Sequence, residues 1–160
     1  MSMLDKSNMQ EEKFYLTKEG LKSLQKKYEK LLVLRREKLQ EEAPSAIHSE
    51  ELEAEFVAFK ENKELLEQRV EDLEYILKNA ILIKKPSKGE KDKIGLGSVV
   101  RLASSDKEDD YQIVGTVEAN PDSGKISNES PIGRALLGKK PGDEVKVSAN
   151  QVYKIIKVNY

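Results

Sequence analysis

The chain has 160 residues, of which 38% are hydrophobic and 36% charged, and its 28 Lys+Arg against 29 Asp+Glu leave a net charge of -1. That polarity excludes one thick globular core, and the balanced charge excludes a global basic surface for free DNA or RNA. With no cysteine, disulfides, thiolate metal sites and thiol catalysis are excluded, and no apolar run nears the roughly 18 residues of a transmembrane helix.

In chain order, Met1 to Lys13 is polar, lacks the apolar region of a signal peptide and is expected to be a disordered tail. A first helix is predicted from Thr17, with Thr17 as N-cap and Glu19 in the first turn, where the helix dipole favours a carboxylate. Leu21, Leu24, Tyr28, Leu31, Leu34 and Leu39 recur on it at roughly helical spacing. Ala43-Pro44-Ser45 ends it, because the residue before a proline avoids the helical region.

The second helix carries the clearest period. Leu52, Phe56, Phe59, Lys63, Leu66, Val70, Leu73, Leu77 and Ala80 step by four and three, a heptad seam with Lys63 as its one charged member. About 30 residues make a rod of about 45 Å, which needs a partner for its seam. The first helix, with its own stripe and a short connection, predicts an antiparallel hairpin with its tip between Glu41 and Leu52. A parallel coiled-coil dimer is the alternative.

Lys84 to Lys93 reads as a charged linker containing Pro86 and Gly89. Beyond it the period becomes that of strands, in Val99–Leu102, Gln112–Val114, Glu144–Val147 and Val152–Val158, with turns at Ser104–Asp110 and Asn120–Gly124. Between them lies Ser130-Pro131-Ile132-Gly133-Arg134-Ala135-Leu136-Leu137-Gly138. Ser130 suits an N-cap and Pro131 the first helical position. Ile132, Leu136 and Leu137 share one face, Gly138 suits a left-handed residue after the helix, and Pro141-Gly142 suits a type II turn. The fold class is α+β. The expected divisions are a tail at 1–13, a coiled-coil hairpin at 14–83, a linker at 84–93 and a small antiparallel-sheet domain at 94–160.

Chemistry is sought first at the tip, where Glu41, Glu42, Glu50, Glu51, Glu53 and Glu55 gather. Carboxylates are hard ligands for Mg²⁺, although glutamates on a solvated helical face need no function. His48, the only histidine, is read as a loop residue. No Ser-His-Asp set, phosphate-binding glycine loop or zinc spacing is present.

Tyr111-Gln112-Ile113-Val114-Gly115, the run Ile126 to Asp143 and Tyr153 to Val158 together resemble the C-terminal domain of the bacterial GreA/GreB transcription elongation factors. Tyr15 to Leu21 and Arg69 to Glu74, followed by Lys78-Asn79-Ala80, are similar to the two ends of that family's coiled coil. The resemblance covers nearly all of Tyr15 to Tyr160. It implies an FKBP-like C-terminal domain that docks on bacterial RNA polymerase, and a hairpin that enters the secondary channel. Tip carboxylates there help to hold a Mg²⁺ shared with the polymerase active site, which cleaves backtracked RNA at its 3′ end. On this reading the chain is not an enzyme, binds no cofactor stably, and works as a cytoplasmic monomer with no membrane partner. Ser130, Pro131 and Ile132 match the loop facing polymerase, and Lys60 matches a basic position facing the RNA.

The tip departs from the family pattern Gly-Asp-Leu-x-Glu-Asn-x-Glu-Tyr. Here the run is His48-Ser49-Glu50-Glu51-Leu52-Glu53-Ala54-Glu55-Phe56. Without a gap, the two acid positions fall on Ser49 and Leu52. A slip of one residue restores an acid pair, Glu50 and Glu53, with Glu51 in reserve. The first register implies a channel-binding inhibitor and the second a cleavage factor. A prolyl isomerase is disfavoured, because residues 94–160 contain tyrosines but no Phe or Trp. A client-clasping chaperone would want an apolar tip, whereas this one is acidic.

Overall fold

In a computed structural model, the described residues are 12–42, 50–87, 89–104, 107–148 and 151–160, the side chains of 50–53 excepted. The expectations for the tail before residue 12, for the stop at Ala43-Pro44-Ser45, and for His48 and Ser49 lie outside them. The chain forms two compact units, one of Leu21–Asn79 and one of Ala80–Tyr160 together with the chain up to Gly20.

The first unit is the helical hairpin. Helix α1 spans Lys18–Gln40 and α2 spans Glu50–Lys78. Leu24, Leu66 and Val70 are buried, and Tyr28, Leu31, Phe56, Phe59, Lys63, Leu73 and Leu77 are half-buried, so from Phe56 to Leu77 the seam predicted for α2 is the inward face. On α1 the seam differs from the predicted stripe. Leu34 and Leu39 are 41% and 57% exposed, whereas Arg35 and Lys38 are half-buried. The four-three step from Leu21, Leu24, Tyr28 and Leu31 continues to 35 and 38, and the step outranks the hydrophobicity of neighbouring leucines. Arg35 Nη1 stands 3.6 Å from Glu67 Oε2, an ion pair between the two helices. Lys38 turns instead to Glu41 at 2.8 Å.

The second unit contains two strands that the sequence reading did not anticipate. Strand β1, Phe14–Leu16, pairs in parallel with β2, Ala80–Leu82. The unit boundaries therefore fall at Gly20 and Ala80, inside the span of 14–83 expected for the hairpin. Three residues each are too few for strand periodicity to stand out beside long helices.

A five-stranded sheet follows, made of β3 (Val99–Ala103), β4 (Glu108–Val114), β5 (Lys125–Ser127), β6 (Glu144–Ser148) and β7 (Gln151–Asn159), in the order β5-β4-β3-β7-β6. It is antiparallel except that β5 runs parallel to β4. Strand β4 starts inside the predicted turn at Ser104–Asp110. Glu108, Asp109 and Asp110 pair with Ala103, Leu102 and Arg101, and Arg101 grips Asp110 in a two-pronged hydrogen bond of 2.7 and 2.9 Å. That cross-strand pair lets acidic residues extend a strand.

Between β3 and β7 the register shifts, with Arg101 opposite Lys157 but Leu102 opposite Ile155. The skipped residue, Ile156, is a bulge and is 41% exposed. The bulge resets the alternation, so that Ile155 and Val158 both face the core despite their odd spacing. That core gathers Ile94, Val100, Leu102, Ile113, Ile126, Leu136, Val145 and Ile155. One short helix, α3 (Pro131–Leu136), covers it with Leu136 buried and Ile132 and Leu137 packed beside it.

Candidate functional site

The α3 segment is built as its residues predict. Ser130 Oγ accepts from Gly133 N at 3.0 Å and donates to Ser127 O at 2.7 Å, so one hydroxyl caps the helix and ties it to β5. Pro131 stands in the first helical turn and is exposed. A Cβ on the buried Gly133 would overlap the Ser127 carbonyl, which explains a glycine inside so short a helix. Gly138 is left-handed with φ 78°. Its amide does not close back on the helix but donates to Ile94 O at 2.8 Å, tying the helix end to the start of the sheet unit. Gly142, at φ 94°, and the 3.1 Å bond from Asp143 N to Lys140 O complete the type II turn. The three predicted docking residues thus form one surface step. Pro131 presents itself to solvent, Ser130 holds the backbone and Ile132 roots the step in the core.

At the other site, α2 begins at Glu50, so Glu50, Glu51 and Glu53 all lie within its first turn. Glu50 and Glu53 are three residues apart on one helix, a spacing that places two residues on neighbouring positions of its surface. The positive end of a helix dipole favours carboxylates there. Their side chains lie outside the described residues. Among the described residues, no three of His, Cys, Asp and Glu form a metal-holding group.

Lys60 is exposed, with its ammonium 5.6 Å above the ring of Phe56. A cation over an exposed aromatic face is attracted to it by only about 0.5–1 kcal/mol. Tyr111 and Tyr153 pack against the sheet core. Burial of Tyr111 is the main reason its phenol titrates above the ordinary range, with the charge of Asp109 adding to it. Tyr160 donates its hydroxyl to Lys93 O at 2.6 Å. Burial is also what raises its proton affinity.

Sequence reasoning missed Glu118. It lies in the first of two short 3₁₀ turns after β4, Thr116–Glu118, and its side chain is only 4% exposed. One glutamate among many gives no signal of burial, because its partners come from a distant part of the chain.

Two family descriptions match the chain. "Transcription elongation factor, N-terminal" matches residues 14–82, and "Transcription elongation factor, GreA/GreB, C-term" matches residues 89–160. Transcription elongation factor GreA of Thermomicrobium roseum is 36% identical over 141 residues, covering 87% of this chain and 90% of its own. The GreA of Clostridium kluyveri is 35% identical over 153 residues, covering 91% and 96%. Among solved structures, GreA factor homolog 1 of Thermus thermophilus is 31% identical, covers 93% of this chain and 100% of its own, and aligns with a TM-score of 0.41.

Proposed function

The chain belongs to the GreA/GreB family of transcription elongation factors, and from that membership we propose that it binds RNA polymerase and stimulates cleavage of backtracked RNA. The observation that carries this is the reach of the match, since both the helical and the sheet parts correspond to the family and its relatives are covered almost end to end. The sheet unit docks through Ser130, Pro131 and Ile132. The hairpin enters the secondary channel and brings its tip to the polymerase active site.

Glu50 and Glu53 are the residues proposed to share a Mg²⁺ with polymerase at the RNA 3′ end, with Glu51 in reserve. Such an ion supplies an activated water and charge stabilisation for phosphodiester hydrolysis. The carboxylates contribute hard oxygen donors delivered on a rigid helix. Lys60 offers an outward charge to RNA phosphates. The catalytic centre belongs to polymerase, so the chain acts as an accessory factor, as a monomer and in the cytoplasm, where its partner works.

A second reading rests on the register of the seam. Phe56, Phe59 and Lys63 are half-buried, and Leu52 stands one four-residue step before Phe56 in the sequence. A seam role for Leu52 supports the ungapped register, with Ser49 and Leu52 at the acid positions. In that case the protein fills the channel and inhibits.

Cleavage on stalled elongation complexes separates the two. Stimulation by the wild type that is lost in Glu50→Gln and Glu53→Gln supports the first reading. Wild-type binding with slowed transcription and no cleavage supports the second. Strong cleavage unchanged by both substitutions removes this acid pair from the mechanism.

A further inference from the structure

A buried carboxylate needs partners, and Glu118 finds them at the start of α1. Thr17 N donates to its Oε2 at 2.5 Å, and Thr17 Oγ1 donates to its Oε1 at 2.6 Å. Lys125 Nζ, at 4.0 Å, supplies a compensating charge. The same Thr17 hydroxyl accepts from Gly20 N at 3.0 Å, the bond of an N-cap. A capping hydroxyl has one proton to spare, and here that proton goes to Glu118.

Two glycines admit the arrangement. A Cβ on Gly20 would overlap the Glu118 carboxylate, and a Cβ on Gly115 would overlap the Tyr15 carbonyl oxygen. Neither glycine has a positive φ, so space rather than backbone conformation explains them. Gly20 sits in the first turn of α1, where alanine would favour the helix more. The chain gives up that propensity and gains room for a carboxylate.

We propose that Glu118 is a positioning residue for the action on polymerase. Through Thr17 it holds the cap and first turn of α1, inside the unit that also contains the sheet. The inference rests on the polymerase reading above. A helix whose first turn is held stays rigid to its base, whereas a frayed first turn adds freely rotating residues there, which lowers the effective concentration of the helix's far end at a reacting centre. Glu118 therefore governs how well a bound factor acts, and has little effect on how tightly it binds.

The test uses the full chain with Glu118→Ala, Gly20→Ala and the double variant. Amide exchange is read at Thr17 and Gly20, with Leu102 and Ile113 as reporters of the sheet core. Polymerase affinity and the maximal effect at saturating factor are read separately. In Glu118→Ala, exchange at Thr17 should rise about tenfold while the core reporters stay as in the wild type. Affinity should hold within about twofold and the maximal effect should fall about tenfold. Gly20→Ala alone should mimic this, because its methyl displaces the carboxylate. Added to Glu118→Ala it should do no further harm, because the methyl enters vacated space. Full effect at saturation in Glu118→Ala overturns the proposal. So does equal harm from Gly20→Ala in both backgrounds. If the wild type does not bind polymerase, the functional reading fails and this inference falls with it. If the wild type binds and only inhibits, the same ratios are read on inhibition.

Discussion

Ser130, Pro131 and Ile132 are adjacent in sequence, yet each is a different kind of probe. Ser130 has two bonds to lose, to Gly133 N and Ser127 O. Ser130→Ala should cost about 1 kcal/mol of stability, visible as a lower denaturation midpoint. Ile132 packs against the core, so Ile132→Asp buries an unpaired charge and confounds binding with folding. Pro131 is exposed at the first turn of α3 and donates no hydrogen bond. Pro131→Ala should leave the melt within about 1 kcal/mol of the wild type while weakening capture by polymerase. Undiminished capture by a folded Pro131→Ala protein removes this residue from the interface. Tyr160 gives a pH signature. Its folded phenol is raised by burial, so the neutral form is favoured in the native state. That stability is complete below the unfolded tyrosine's pKa and is lost as pH rises through the folded value. Tyr160→Phe should cost about 1 kcal/mol at neutral pH by losing the bond to Lys93 O. The gap between the two proteins should then narrow in alkaline melts, and a gap constant with pH contradicts the assignment.

Within the hairpin, energy is concentrated at a few seam positions. Val70 is 1% exposed and Leu24 is 7% exposed, against 41% for Leu34 and 57% for Leu39. Leu24→Ala should cost about 2–5 kcal/mol, whereas Leu34→Ala and Leu39→Ala should stay within about 0.5 kcal/mol. Urea titrations followed by helical circular dichroism measure all three, and equal costs would refute the seam. This ranking also shows how far the sequence could be read. Helix α2 was legible because its apolar residues keep one unbroken step, whereas in α1 the step passes onto Arg35 and Lys38 and the eye follows Leu34 and Leu39 instead. The α3 segment was legible in nearly every residue, since caps, prolines and glycines act locally. Strands β1 and β2 were not, because pairing across more than sixty residues leaves no local trace. The bulge at Ile156 and the burial of Glu118 were hidden for the same reason. At the tip, sequence offered acids and two registers, and only chemistry on polymerase chooses between them.

At the scale of the whole molecule, the two units are assigned different tasks, docking to the sheet unit and action to the hairpin tip. Net charge is -1, so attraction to nucleic acid cannot by itself bring the protein to its target. Recruitment then depends on a specific surface, and loss of tip chemistry should leave recruitment intact. The Glu50→Gln/Glu53→Gln double variant should therefore bind polymerase with wild-type affinity and compete with the wild type for one channel. Mixed with wild type on stalled complexes, it should reduce cleavage in proportion to its share of the total factor. Adding Pro131→Ala to the double variant should relieve that competition, because the competitor no longer docks. A double variant that fails to compete while remaining folded would place docking energy at the tip, and the division of tasks between the two units would be wrong.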